Sequence, residues 1–299
     1  LDASLGLDNY TASFGIPAVV CAVIGTVGSN TKIHDNKILG ARNGPAIVAF
    51  TPAFAPLVGF SAVNAEIIKN RIDNVVDPFI FDDTGVWFDF DVDTQNECAA
   101  IYIYALNARV EKNEINGVSG SDAHGIFVAV PTGNAVIVGN NIKKVDDGVG
   151  IFILGSSNNR IEGDNVLEDI GQDGVLLTYN NLAFGTVGLP VYADNNTVRG
   201  NTIRRAALRA VVDLTTPNPS VGDPLVGDYA GIRLNAASNN TIDGNIIEDV
   251  GGMVWPAWIC GIDVALRTAD PVAATPLPAG ATTMNNTIIN NKIRFYTQA

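Results

Sequence analysis

Residues 134–142 read Asn134-Ala135-Val136-Ile137-Val138-Gly139-Asn140-Asn141-Ile142, and the skeleton of that stretch decides the fold. An Asn is followed by two variable residues and an aliphatic, then by two more variable residues, a second Asn, one variable residue and a second aliphatic. The phrase returns eight times along the chain. It reads Asn30-Ile33-Asn36-Ile38, Asn64-Ile67-Asn70-Ile72, Asn107-Val110-Asn113-Ile115 and Asn134-Ile137-Asn140-Ile142. It continues as Asn158-Ile161-Asp164-Val166, Asn195-Val198-Asn201-Ile203, Asn239-Ile242-Asn245-Ile247 and Asn285-Ile288-Asn291-Ile293. Each copy holds two short β-type segments with an Asn at each bend. One copy cannot bury its own apolar face, so the copies must stack. Stacking sets equal residues about 4.8 Å apart, where an Asn amide reaches the Asn of the next coil.

A third segment completes each coil as a small residue, an aliphatic, a variable residue and an aliphatic. It appears as Ala46-Ile47-Val48-Ala49, Ala100-Ile101-Tyr102-Ile103 and Gly125-Ile126-Phe127-Val128. Further copies are Gly150-Ile151-Phe152-Ile153, Gly174-Val175-Leu176-Leu177, Gly231-Ile232-Arg233-Leu234 and Gly261-Ile262-Asp263-Val264. The tightest phrases start at Asn107, Asn134 and Asn158, 27 and 24 residues apart, which is room for three short strands and three bends. Longer periods elsewhere force insertions near residues 51–62, 73–97, 179–194, 205–228, 251–258 and 267–283. Residues 78–93 read as a hairpin turning at Asp82-Asp83-Thr84-Gly85. These insertions flank the small-aliphatic strand and are expected on one side of the stack.

The expected fold is all-β: one single-stranded right-handed parallel β-helix over residues 1–299, with three short strands per coil and nine or ten coils. Residues 1–15 are expected to cap one end and residues 295–299 to form the other. The eight Asn phrases and seven small-aliphatic strands resemble the right-handed parallel β-helix repeat family over roughly residues 16–296. That family includes NosD-like periplasmic proteins, polysaccharide lyases, epimerases and phage tailspikes. The resemblance implies a fold and leaves the activity open.

Composition narrows the partners. The chain of 299 residues carries 31 acidic and 18 basic side chains, a net charge of −13, so nucleic acid is excluded as a partner. No apolar run reaches the roughly 18 residues of a membrane span. Cys21, Cys98 and Cys260 are far apart, odd in number and without metal-ligand spacing; they read as buried small hydrophobes. The chain opens at Leu1 rather than Met, which points to a processed product and to an extracellular or cell-surface location.

Alternation along the strand sets Val48, Tyr102, Phe127, Phe152, Leu176, Arg233 and Asp263 in one outward column. A second column holds Phe50, Tyr104, Ala129, Leu154, Thr178, Asn235 and Ala265. Val48, Phe50, Tyr102, Tyr104, Phe127, Phe152, Leu154 and Leu176 form an apolar stripe too large to stay wet. Three arrangements are open for it: covering by loops, packing against identical chains as in a trimer, or a platform for a sugar chain. Catalytic chemistry has two candidate places. Arg233 and Asp263 sit at equal positions on successive coils and read as a stacked ion pair or a carboxylate-binding pair. Ser121-Asp122-Ala123-His124-Gly125 faintly resembles the Asp-Pro-His-Asp site of mannuronan epimerases but lacks the Pro and the second Asp. There His124 would be the base and Asp122 its orienting partner, unless Asp122 merely caps the bend. Asp89, Asp91 and Asp93 share one strand face and would suit a structural Ca²⁺. No other cofactor is expected. The functional expectation is a secreted or surface structural protein that self-associates and binds polysaccharide, without an evident catalytic set. The alternatives are a lyase or epimerase of uronic-acid polymers and a phage or viral receptor-binding spike.

Overall fold

The computed structural model describes residues 22–26, 28–42, 44–50, 63–76, 98–120, 123–129, 133–179, 192–208, 230–251, 260–266 and 280–295. Every regular element among them is a strand, and the strands form three parallel sheets of eight. The chain visits the sheets in strict rotation. The first sheet holds the small-aliphatic strands, such as Cys98–Tyr104 (β7), Ala123–Ala129 (β10), Ile151–Leu154 (β13), Val175–Thr178 (β16), Ala230–Asn235 (β19) and Cys260–Ala265 (β22). The second holds the first half of each Asn phrase, from Lys32–His34 (β2) to Thr287–Ile289 (β23). The third holds the second half, from Lys37–Arg42 (β3) to Lys292–Arg294 (β24). Eight coils are thus described, where nine or ten were expected; the cap expected at 1–15 and the hairpin at 78–93 lie outside the described residues.

The aliphatics of all three sheets meet in one core. Ile33, Ile67, Val110, Ile137, Ile161, Val198 and Ile242 stack from the second sheet, and Ile38, Ile72, Ile115, Ile142, Ile203 and Ile247 from the third. Two bends per phrase keep the chain turning, and each needs a left-handed residue. Asn30, Asn64, Asn107, Asn134, Asn158, Asn195, Asn239 and Asn285 supply the first, with φ between 55° and 63°. Asn tolerates this region better than other side chains do.

The second Asn of the phrase has a different task. It is buried in the six inner coils, and there its amide ties three coils together. Asn140 Oδ1 accepts from the backbone N–H of Asn113 at 2.9 Å and from its Nδ2 at 3.0 Å. Its own Nδ2 donates to Val110 O at 2.9 Å and to Asn165 Oδ1 at 3.0 Å. The same pattern runs from Asn36 through Asn70, Asn113, Asn140, Asn165, Asn201 and Asn245 to Asn291.

The fifth copy corrects the sequence reading. Asp164 was expected on this ladder and Val166 in the core. Instead Asn165 joins the ladder, and Leu167 pairs with Ile142 and is fully buried. Gly163 and Asp164 are both left-handed, with φ of 69° and 64°, so this bend holds one extra residue and shifts the next strand by one position. A further ladder was not anticipated. The residue after the first bend Asn is Asn159, Asn196, Asn240 and Asn286 in the last four coils, and each Oδ1 accepts the backbone N–H beneath it at 2.7–2.9 Å. In the first four coils that place is Thr31, Ala65, Ala108 and Ala135.

Close packing explains the glycines of the first sheet. A Cβ on Gly150 would lie 2.6 Å from Gly174 O, and one on Gly174 would lie 2.5 Å from Gly231 O and 2.6 Å from the Ile203 side chain. The strand therefore presses directly on the coil above and on the third sheet.

Candidate functional site

The outward face of the first sheet carries the predicted columns in the expected register. Val48 pairs with Tyr102, Tyr102 with Phe127, Phe127 with Phe152, Phe152 with Leu176, Leu176 with Arg233 and Arg233 with Asp263. Phe50 pairs with Tyr104 and Leu154 with Thr178 in the second column. The aromatic rings touch: the centroids of Tyr102 and Phe127 are 4.9 Å apart, and those of Phe127 and Phe152 are 5.0 Å apart. This second apolar cluster is already out of water in the single chain. Phe127 is 1% exposed and Phe152 6%, with Val48, Tyr104 and Leu154 also buried. Tyr102 and Leu176 stay partly open at its margin. Burial pushes the Tyr104 hydroxyl up, out of reach of physiological pH.

His124 belongs to this cluster. It is 2% exposed, and its ring lies edge-on to Phe152 at 4.9 Å and tilted to Phe127 at 5.7 Å. The Val149 N–H donates to Nδ1 at 2.9 Å, so the proton of the neutral ring sits on Nε2. No partner reaches Nε2 among the described residues. Burial lowers the His124 pKa to about 3. A base needs an open lone pair, and the only one here is taken by a backbone amide. Asp122, its expected orienting partner, lies outside the described residues.

Arg233 and Asp263 stand at the upper end of the same face, with Nε 3.6 Å from Oδ2. A third charge, absent from the sequence reading, completes the group. Asp173, in the bend before β16, places Oδ1 3.4 Å from Arg233 Nε and accepts the Ala230 N–H at 2.6 Å. The side chains of Asp173 and Asp263 are 2% and 10% exposed. One guanidinium is thus set between two nearly dry carboxylates, and partner-less burial of either acid would be costly. His124 and Arg233 are three strands apart in the sheet, about 14 Å by the strand spacing. His124 and the Arg233 group do not form one centre. No group of three or more His, Cys, Asp or Glu side chains positioned to hold a metal occurs among the described residues; Asp89, Asp91 and Asp93 lie outside them.

The other two outward faces are laced with exposed ion pairs between neighbouring coils. Lys32 meets Glu66 at 3.1 Å, Lys143 meets Glu168 at 3.0 Å, Arg199 meets Asp243 at 3.0 Å and Arg204 meets Glu248 at 3.0 Å. Lys143 and Arg205 hold the Glu168 carboxyl below its ordinary range. Such pairs add little stability one by one but neutralise each face locally. An open groove of about 420 Å³ lies beside Lys144, Asp146, Asp169 and Leu208, away from the aromatic face. No helix among the described residues is long and apolar enough to cross a membrane. Cys260 is half-buried, not fully buried as expected from the sequence.

Several solved structures are similar to this chain at low identity. The A-module of mannuronan C-5 epimerase AlgE6 from Azotobacter vinelandii is similar over 92% of this chain and 76% of its own, at 13% identity and a TM-score of 0.39. The ORF18 protein of Geobacillus virus E2 is similar over 82% of this chain and 52% of its own, at 12% identity and a TM-score of 0.36. The catalytic domain of a GH87 α-1,3-glucanase in complex with tetrasaccharides is similar over 91% and 64%, at 12% identity and a TM-score of 0.29. No curated protein matches the sequence. The family described as a right-handed β-helix region matches residues 58–298, most of the chain and seven of the eight Asn phrases. With three parallel eight-stranded sheets visited in rotation, the chain belongs to the right-handed β-helix family.

Proposed function

We propose that this protein is a structural β-helix of the cell exterior that self-associates and offers its side to polysaccharide, without an evident catalytic set. One observation carries the reading: the candidate chemical groups among the described residues are committed to structure. His124 is held neutral against two Phe rings with its lone pair occupied. Arg233 is enclosed by Asp173 and Asp263. Tyr102, at the open margin of the aromatic cluster, supplies a ring against which a sugar face can stack.

The second reading is a lyase or epimerase of uronate polymers, and Asp173 is the observation that favours it. Two carboxylates about one guanidinium are groups that could hold a uronate and move a proton. The test is a panel of alginates, pectins and neutral glucans, assayed for binding and for unsaturated or epimerised product. Binding without product, lost in Tyr102→Ala, is the expected result. Product that disappears in Arg233→Ala, with the fold intact by circular dichroism, would replace the structural reading with the enzymatic one. A panel with neither binding nor product would remove the polysaccharide part.

A further inference from the structure

The first bend of every coil carries an Asn, but the column changes character along the stack. In the lower coils the bend amides bond to one another. Asn64 Nδ2 donates to Asn30 Oδ1 at 2.9 Å, and Asn107 and Asn134 each donate to the Asn one coil down at 3.2 Å. In the last three coils Asn195, Asn239 and Asn285 keep the left-handed bend, with φ of 59°, 59° and 56°, and are exposed. None of these three amides makes a hydrogen bond among the described residues. The residue two places on changes as well. It is Lys32, Glu66, Arg109, Val136 and Arg160 in the first five coils, and Thr197, Thr241 and Thr287 in the last three. These threonines stand in register on the outward side of the second sheet. An unengaged amide and an outward hydroxyl thus coincide in three Asn-Asn-Thr triplets, the pattern that directs a sugar chain to an exposed Asn.

We propose that Asn195, Asn239 and Asn285 are acceptor sites for N-linked glycans. The proposal rests on the cell-exterior reading above, because the transfer takes place on chains that enter the secretory route. In that step Nδ2 bonds to C1 of the reducing-end sugar of a lipid-pyrophosphate oligosaccharide. The C1–O bond breaks, the lipid pyrophosphate leaves with its electron pair, and the amide releases one proton. The fold separates these asparagines from their neighbours in sequence. Asn196, Asn240 and Asn286 are engaged, each Oδ1 accepting a backbone N–H of the coil beneath, and the bend asparagines have no such bond to lose. Stacking also limits occupancy. Consecutive bends are about 4.8 Å apart, too close for two branched sugar chains to leave side by side. Asn195 and Asn285, two coils apart, accept glycans together, and Asn239 alternates with both. A glycan on this column keeps the upper part of the second sheet out of contacts between copies.

The test sends the full chain into the secretory route of a eukaryotic cell behind a leader and recovers it from the medium. A further triplet, Asn9-Tyr10-Thr11, lies outside the described residues and is removed by Asn9→Gln. Enzymatic release of glycans in heavy-oxygen water converts each occupied Asn to labelled Asp, and intact mass counts the glycans. Label is expected at Asn195 and Asn285, or at Asn239, and not at Asn158, where Arg160 stands in place of the Thr. Thr197→Val should abolish the label at Asn195 and Thr197→Ser should restore it, both with an unchanged β-sheet circular dichroism spectrum. Secreted, folded protein without label at any of the three sites overturns the proposal and leaves the exterior reading standing. Three glycans on one folded chain overturn the limit set by stacking. A chain that reaches the medium neither as it is nor as the Thr197→Val/Thr241→Val/Thr287→Val variant overturns the exterior reading and the proposal together.

Discussion

Truncating Asn140 to alanine isolates the contribution of the buried amide ladder. The change removes one acceptor and one donor group from a site with 1% exposure. The Asn113 N–H loses the acceptor that it reaches at 2.9 Å, while the Asn113 amide keeps its bond to Ile67 O. A buried donor left unmatched costs about 1–3 kcal/mol. The bonds from Asn140 Nδ2 to Val110 O and to Asn165 Oδ1 and from Asn113 Nδ2 to Asn140 Oδ1 are lost as well, at about 1 kcal/mol each. The sum is about 5 kcal/mol, a large part of the roughly 5–15 kcal/mol that holds a domain together. Asn36 is the internal control, because among the described residues it ends the ladder. Its Nδ2 donates to His34 O and Asn70 Oδ1, but among the described residues nothing below depends on its oxygen. Asn36→Ala should therefore cost about 2 kcal/mol, one for each bond lost. Urea unfolding of the two variants gives the difference, and hydrogen exchange at the Asn113 amide shows where it arises. Equal costs within about 1 kcal/mol, at unchanged denaturant slope, would refute the ladder argument.

The core and the aromatic face give two further outcomes. Gly174→Ala forces a methyl against Gly231 O and Ile203 and should destabilise by about 1–3 kcal/mol, whereas Ala100→Gly at the equivalent strand position should cost less than about 1 kcal/mol; thermal melting compares them. His124 keeps its neutral form down to about pH 3 in the folded chain, while the unfolded ring protonates near its ordinary value of 6.5. The unfolded state thus binds the extra proton between these limits, and stability falls as pH drops through that window. The slope from this group is about 1.4 kcal/mol per pH unit, and His124→Phe should flatten the acid limb of stability against pH by that amount. An unchanged acid limb would mean that the ring is not kept neutral by burial.

Much of the fold was legible because it repeats. Eight Asn phrases gave the order of the second and third sheets, and the small-aliphatic strands gave the outward columns of the first, residue for residue. The repeat failed where local geometry departs from the average. At Gly163-Asp164 two adjacent left-handed residues absorb an insertion, and a fixed spacing rule cannot see that Asn165 and Leu167 fit the stack better than their neighbours. The site was less readable for a different reason. Asp173 reaches Arg233 from a bend, across a long separation in sequence, and no period links the two. The burial of His124 depends on what lies outside the sheet, which strand alternation does not encode. The upper Asn ladder did leave a signal, the doubled Asn158-Asn159, Asn195-Asn196, Asn239-Asn240 and Asn285-Asn286.

That doubled Asn makes the coils interchangeable parts only within limits. In the upper half each coil supplies the oxygen that caps the amide of the coil beneath. A coil copied beside itself in that half brings its own cap and lengthens the stack without loss. A coil moved up from the second, third or fourth place brings an alanine methyl where an oxygen caps the amide beneath, and strands a buried N–H. The length of this protein can therefore change by local duplication but not by free shuffling, and the midpoint between Ala135 and Asn159 divides the chain into two vocabularies of replaceable units.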